Sequence, residues 1–94
     1  MDFEWDERKS LTNEQRHGID FTEASKLFDG RPVVISASPR HGEARWMATG
    51  EYGEKIWSVV FTLRHINIRI ISARAARKNE KERYNRSLLG GGDR

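Results

Sequence analysis

Between positions 62 and 84 the chain gathers side chains that could act on a phosphodiester: Thr62, Arg64, Arg69, Arg74, Arg77, Lys78, Glu80, Arg83 and Tyr84. Attack of a ribose 2′-hydroxyl on the adjacent phosphate builds negative charge on the phosphoryl oxygens. Guanidinium groups stabilise such charge through fixed, often bidentate hydrogen bonds. Arginine keeps its proton, so Arg64, Arg74 and Arg77 suit charge stabilisation and not proton transfer. The reaction also needs a base for the hydroxyl proton and an acid for the leaving oxygen. Glu80, or a lysine with a lowered pKa, is a candidate base, and Tyr84 or Lys78 a candidate acid. Thr62, Arg69, Lys78 and Arg83 would extend the surface along an RNA backbone. The same groups would also make a surface that binds phosphate or protein without reacting.

Each residue has a structural reading beside the chemical one. Thr62 is a β-favouring residue, Tyr84 can pack its ring on a sheet with the hydroxyl at the surface, and Glu80 can pair with a neighbouring arginine. Arg64 and Arg69 resist such a reading, because they interrupt the most apolar part of the chain and no carboxylate lies within that segment.

Other chemistries find little support. The sequence has no phosphate-cradling Gly-rich loop and no GxSxG elbow. His17, His41 and His65 lack metal-ligand spacing. Without cysteine there is no disulfide, thiolate nucleophile or Cys-ligated zinc. No metal or cofactor is expected. His17, just before Gly18, suits the negative end of a helix dipole.

The 94 residues, 36% of them hydrophobic, suffice for one small domain, expected over residues 1–89 with a flexible tail at 90–94. No apolar run is long enough for a membrane span, and MDFEWDER is unlike a signal peptide, so a cytoplasmic protein without membrane contact is expected. The net charge of +3 hides an asymmetry. Residues 1–31 hold eight acidic and five basic side chains, whereas residues 64–86 hold eight basic and two acidic. A basic C-terminal third implies an anionic partner, either nucleic acid or an acidic protein surface, although a charged helix can also simply face water.

The elements that must position these groups follow from local signals. Ile56–Leu63 and Ile66–Ser72 are β-prone runs. With His65 and Ile66 as the turn of a hairpin, Arg64 opposes Asn67, Thr62 opposes Arg69, and Val60 opposes Ile71. One face then carries Val59, Phe61, Leu63, Ile68 and Ile70, and the other Thr62, Arg64, Asn67 and Arg69. A longer loop using Asn67 would shift this register by one. Phe3–Trp5 reads as a very short strand, and Asp6 caps a mostly exposed helix, Glu7–His17, that stops at Gly18. Asp20 starts a second helix with Glu23 completing a capping box. Its stripe Phe21, Ala24, Leu27 and Phe28 is core, and Gly30 and Pro32 end it. Val33–Ser36 is a strand and Ser38–Gly42 a loop. Residues 43–52 read as a strand with Trp46 and Ala48 inward, with a short helix as the alternative. Gly50 and Gly53 provide the turn that follows. After Ser72 a last, weakly amphipathic helix is expected to run to about Leu89.

The order of residues resembles a family. RHGIDFTEASKLFDG, then GEARWMATGEY, then VVFTLRHINIRIISARAARKNEKERY, looks like the BrnT family of type II toxin-antitoxin toxins, from FEWDERK to Tyr84. The IRIISAR segment before a helix ending ERY is the most specific part. The resemblance implies an α+β, RelE-like fold with an antiparallel sheet of about four strands, two N-terminal helices and one C-terminal helix. It also implies a growth-arresting ribonuclease that inhibits translation. A BrnA-type antitoxin would neutralise it in a hetero-oligomer, carry a DNA-binding domain, and with the toxin repress the operon by binding operator DNA. The family's arginines fall on Arg64, Arg69 and Arg74, and its closing glutamate and tyrosine on Glu82 and Tyr84. This chain has Arg16 where a lysine is common, and RHIN in the turn where glycine is common. RelE-like toxins differ among themselves in catalytic residues, so the fold assigns no acid or base.

Overall fold

The structure is a computed structural model describing residues 2–38 and 44–90. Its elements are β1 (Phe3–Glu4), α1 (Glu7–His17), α2 (Phe21–Ala24) continued by a 3₁₀ turn (Ser25–Phe28), β2 (Val33–Ala37), β3 (Trp46–Tyr52), β4 (Lys55–Arg64), β5 (Asn67–Ala75) and α3 (Lys78–Gly90). The five strands form one sheet in the order β1-β5-β4-β3-β2. The fold is α+β as expected, but the sheet is mixed and has a fifth strand, because β1 pairs with β5 in parallel.

Local signals set both N-terminal helices. The Asp6 carboxylate accepts from the backbone N–H groups of Arg8 and Lys9, and Gly18 closes α1 in the left-handed region at φ 80°. Asp20 and Glu23 form the reciprocal capping box of α2. The second helix is one α-turn passing into 3₁₀ geometry, shorter than a full helix to Gly30. Its apolar stripe is nonetheless core: Phe21, Ala24 and Leu27, with Ile19, are buried against Ala48, Val59, Phe61, Ile70 and Ala73 of the sheet. Burying each large side chain here contributes about 1.5–3 kcal/mol.

The central hairpin has the expected two-residue turn, with Arg64 opposite Asn67, Thr62 opposite Arg69 and Leu63 opposite Ile68. His65 accommodates the turn at φ 58° without glycine. Farther from the turn the expected register fails. Val60 opposes Ser72 rather than Ile71, leaving Ile71 unpaired in a β-bulge. A further departure concerns Ala73–Ala75, which continue β5 instead of starting the last helix. Ala75 pairs with Trp57, and the Ala76 N–H donates to the Ile56 carbonyl. Cross-strand pairing thus overrides the helical preference of ARAA, and α3 begins at Lys78 and reaches Gly90.

Residues 46–52 are a strand, with Ala48 on the core face. Gly50 serves that strand and not the turn. A Cβ there would meet Val33 Cγ1 at 2.8 Å and the Pro32 carbonyl at 3.2 Å. The turn itself is Gly53-Glu54, both with positive φ. The expected loop at 38–42 lies outside the described residues beyond Ser38, as does the tail beyond Gly90. No described helix is long and apolar enough to cross a membrane.

The sheet therefore has two unlike faces. α2 and its 3₁₀ turn cover one, and α3 packs over β2 and β3 on the other. The half of that second face not under α3 presents polar side chains of β4 and β5.

Candidate functional site

The bulge decides which arginines share a face. Arg69 and Arg74 are five residues apart, and an unbroken strand would send them to opposite sides. The extra residue at Ile71 restores the phase. Arg69 opposes Thr62, Arg74 opposes Ser58, and both partners lie on the same side of β4. Arg64, Arg69 and Arg74 thus belong to one face, in two groups separated by about 13 Å of strand, four residues at about 3.3 Å each.

The first group is built around Glu80. This side chain is buried, at 5% exposure. Arg74 donates to its carboxylate through Nη1 at 2.8 Å and Nη2 at 2.9 Å. The Ser58 hydroxyl adds 2.9 Å, and the backbone N–H of Arg77, the residue before α3, adds 2.8 Å. Thr49 Oγ1 lies 2.9 Å from Ser58 Oγ behind them. Hydrogen bonding from Arg74, helped by the Arg77 N–H and Ser58, holds the Glu80 carboxyl at about 2, well below the usual value. Glu80 in turn raises the Arg74 pKa. Glu80 occupies the end of the guanidinium, whereas Nε makes no hydrogen bond among the described residues, and Nη2 otherwise meets only Met47 Sδ at 3.7 Å.

The second group is built around Glu4. Asn67 Nδ2 donates to Glu4 Oε2 at 3.0 Å, with Arg69 Nη1 at 3.6 Å and Arg64 Nη1 at 3.9 Å from Oε1. The Asn67 hydrogen bond first, then the two arginine charges, lower the Glu4 pKa. Their own segment lacks a carboxylate, but β1 supplies one to Arg64 and Arg69 from sixty and sixty-five residues away. Thr62 is buried and donates to the Ala44 carbonyl at 2.7 Å.

The remaining candidates are not drawn together. Arg77, Lys78 and Arg83 have exposed side chains on and before α3. Tyr84, one turn beyond Glu80, is buried at 4% exposure and opens on a different hollow, with Asp29, Arg31, Glu51 and Glu54. Glu82 is exposed.

Sequence reasoning missed Glu4 and Ser58 as members of these groups, and placed Asn67 on the face of Arg64 and Arg69 without its bond to Glu4. The spacing Arg77-x-x-Glu80 was the one readable signal, half of a capping box. Among the described residues, the one set of three carboxylates close enough to hold a cation is Glu14, Asp20 and Glu23. Two of these already serve as the α2 capping box.

The family model described as the ribonuclease toxin BrnT of type II toxin-antitoxin systems matches residues 5–80. That span includes Arg64, Arg69, Arg74 and Glu80 and stops before Arg83 and Tyr84. No curated protein matches the chain. With most of its length matched, the chain belongs to the BrnT family of ribonuclease toxins, a type II toxin-antitoxin family that implies an antitoxin partner.

Proposed function

We propose that the chain is an endoribonuclease that cleaves RNA without metal on the polar face of the sheet, and so inhibits translation and growth. The observation that carries this reading is the presence of Arg64, Arg69 and Arg74 on one face. Attack of a 2′-hydroxyl places charge on the phosphoryl oxygens, and Arg74 offers Nε and the side of Nη2 to that charge. Its orientation is already fixed by Glu80, so little reorganisation accompanies the reaction. Arg64 and Arg77 add charge, while Thr62, Arg69, Lys78 and Arg83 bear on flanking backbone. Glu80, with its carboxyl near 2, suits holding Arg74 better than taking a proton at neutral pH. Lys78 is the candidate proton carrier in this scheme, since Tyr84 opens on a different hollow. A BrnA-type antitoxin would cover the basic face through an acidic or amphipathic segment, and the complex would act on operator DNA.

A second reading, a non-catalytic module gripping antitoxin and nucleic acid, is favoured by one observation: Glu4 and Glu80 already occupy the arginines. Cleavage of a mixed RNA in excess EDTA separates the two. The parent should cut, and Arg64→Ala and Arg74→Lys should each lose about 10²–10³ in rate with folding intact. Salt-sensitive binding of RNA and DNA without product would sink the nuclease reading.

A further inference from the structure

The arginines of the sheet face meet carboxylates, whereas positive charge on α1 does not. Among the described residues, the side chains of Arg8, Lys9 and Arg16 form no hydrogen bond or ion pair. All three are exposed. They converge, with Thr12 and His17, on a hollow of about 340 Å³ between α1 and β5 that no carboxylate among the described residues lines. Glu7 and Glu14 of the same helix do not line it.

A second hollow of about 140 Å³ shares Lys9 and Ile71 with the first and adds Arg45, Thr62 and Arg69. Among the described residues its one carboxylate, Asp6, is engaged in capping α1. Ile71, the bulged residue of β5, lies in both. The two hollows meet at Lys9 and Ile71, and together they make a furrow that runs from Thr62 and Arg69 to Arg8 and Arg16. Among the described residues, Ile70 and Ile71 are the only large apolar ones lining it, which gives an amphipathic protein segment little to bury. The exposed apolar side chains Ile35, Trp46 and Leu63 line a separate hollow with Phe28 and Phe61.

We propose that this furrow is a phosphate track for single-stranded RNA: the strand lying over Thr62 and Arg69 continues past Lys9 to Arg8 and Arg16. The proposal rests on the ribonuclease reading for its choice of ligand. Lysine and arginine contacts to phosphate carry sequence-independent affinity and make it depend on salt. The segmental charge count conceals this site, because the acidic N-terminal third contains it.

The test is binding of a short, fluorescently labelled 2′-O-methyl oligoribonucleotide, which retains the phosphates but lacks the attacking hydroxyl. The parent is compared with a triple variant, Arg8→Ala, Lys9→Ala and Arg16→Ala, over a range of salt, with circular dichroism as the folding check. The variant should bind about tenfold or more weakly near physiological salt, and the slope of log K against log salt should flatten by about 2, at about 0.7 per single-strand phosphate contact. In cleavage assays its defect should appear in KM, unlike the rate defect of Arg74→Lys. Equal affinity and slope for variant and parent, with the parent still cutting, would overturn the track and leave the nuclease reading standing. A parent that binds but does not cut removes the nuclease reading, and the binding comparison still decides the track. A parent that neither binds nor cuts removes both.

Discussion

Glu80 accepts four hydrogen bonds from three residues, and this explains both its burial and its low pKa. The linkage to stability has a definite sign. A carboxyl held near 2 in the fold, against an ordinary value of 4.5, stabilises the native state above pH 4.5. That contribution fades as pH falls from 4.5 toward 2. Glu80→Gln should therefore cost about 3 kcal/mol at neutral pH by urea unfolding, and the difference from the parent should shrink toward pH 2. Asp29, held near 2 chiefly by its hydrogen bond from Arg31, contributes equally to both chains and cancels in the comparison. A pH-independent difference would show that Glu80 is not ionised against Arg74. The same geometry argues for Arg74→Lys over Arg74→Ala in activity work, because truncation would leave a buried carboxylate without its main partner.

At the level of elements, the sheet edge is finished by a helix. β1 pairs with β5 only at Phe3 and Glu4, after which α1 takes its place beside β5. The buried Asn13 carboxamide then substitutes for a strand. Its Nδ2 donates to the carbonyls of Ala73 and Ile19, both at 2.9 Å, and its Oδ1 accepts from the Ala73 N–H at 3.2 Å. Ser10 Oγ accepts from the Phe21 N–H at 2.9 Å, tying α1 to α2 in the same way. Asn13→Ala would leave the Ala73 N–H and two carbonyls unsatisfied in a buried setting. The expected cost is about 3 kcal/mol, at about 1–3 kcal/mol for each orphaned group, measured by urea denaturation. A loss under about 0.5 kcal/mol would mean that water replaces the carboxamide there.

Across the whole molecule, one core joins the helices to the sheet. Phe21, at 1% exposure, stands at its centre and touches the ring of Trp5 edge-on. Phe28 links Phe3 to Phe61 through two further ring contacts. Phe21→Ala should cost about 3–5 kcal/mol, a large share of the 5–15 kcal/mol typical of a domain. In a chain of this size that lowers Tm by about 15–25 °C in a calorimetric scan. Retention of the parental Tm would mean that the helical layer does not contribute to the cooperative core. The polar face carries little of this burial.

Features that depend on near neighbours along the chain could be read from the residues alone. The caps at Asp6, Gly18 and Asp20, the core stripe of α2, and the hairpin register from Arg64 to Thr62 were all legible, because a cap or a turn acts within a few residues. The collection of Thr62, Arg64, Asn67 and Arg69 on one face followed from the same alternation. Tertiary structure alone decided the rest. The bulge at Ile71 reverses the phase of β5 and brings Arg74 to the face of Arg69. Ala73–Ala75 remain strand because β4 and Asn13 satisfy their backbone. Glu4 reaches Arg64 and Arg69 from the other end of the chain, and Glu80 reaches Ser58 across the sheet. These are contacts between residues nine to sixty-five positions apart, and no pattern of spacing encodes them. The free energy that fixes them is the pairing of buried backbone and charged groups, which exists only once the sheet has formed.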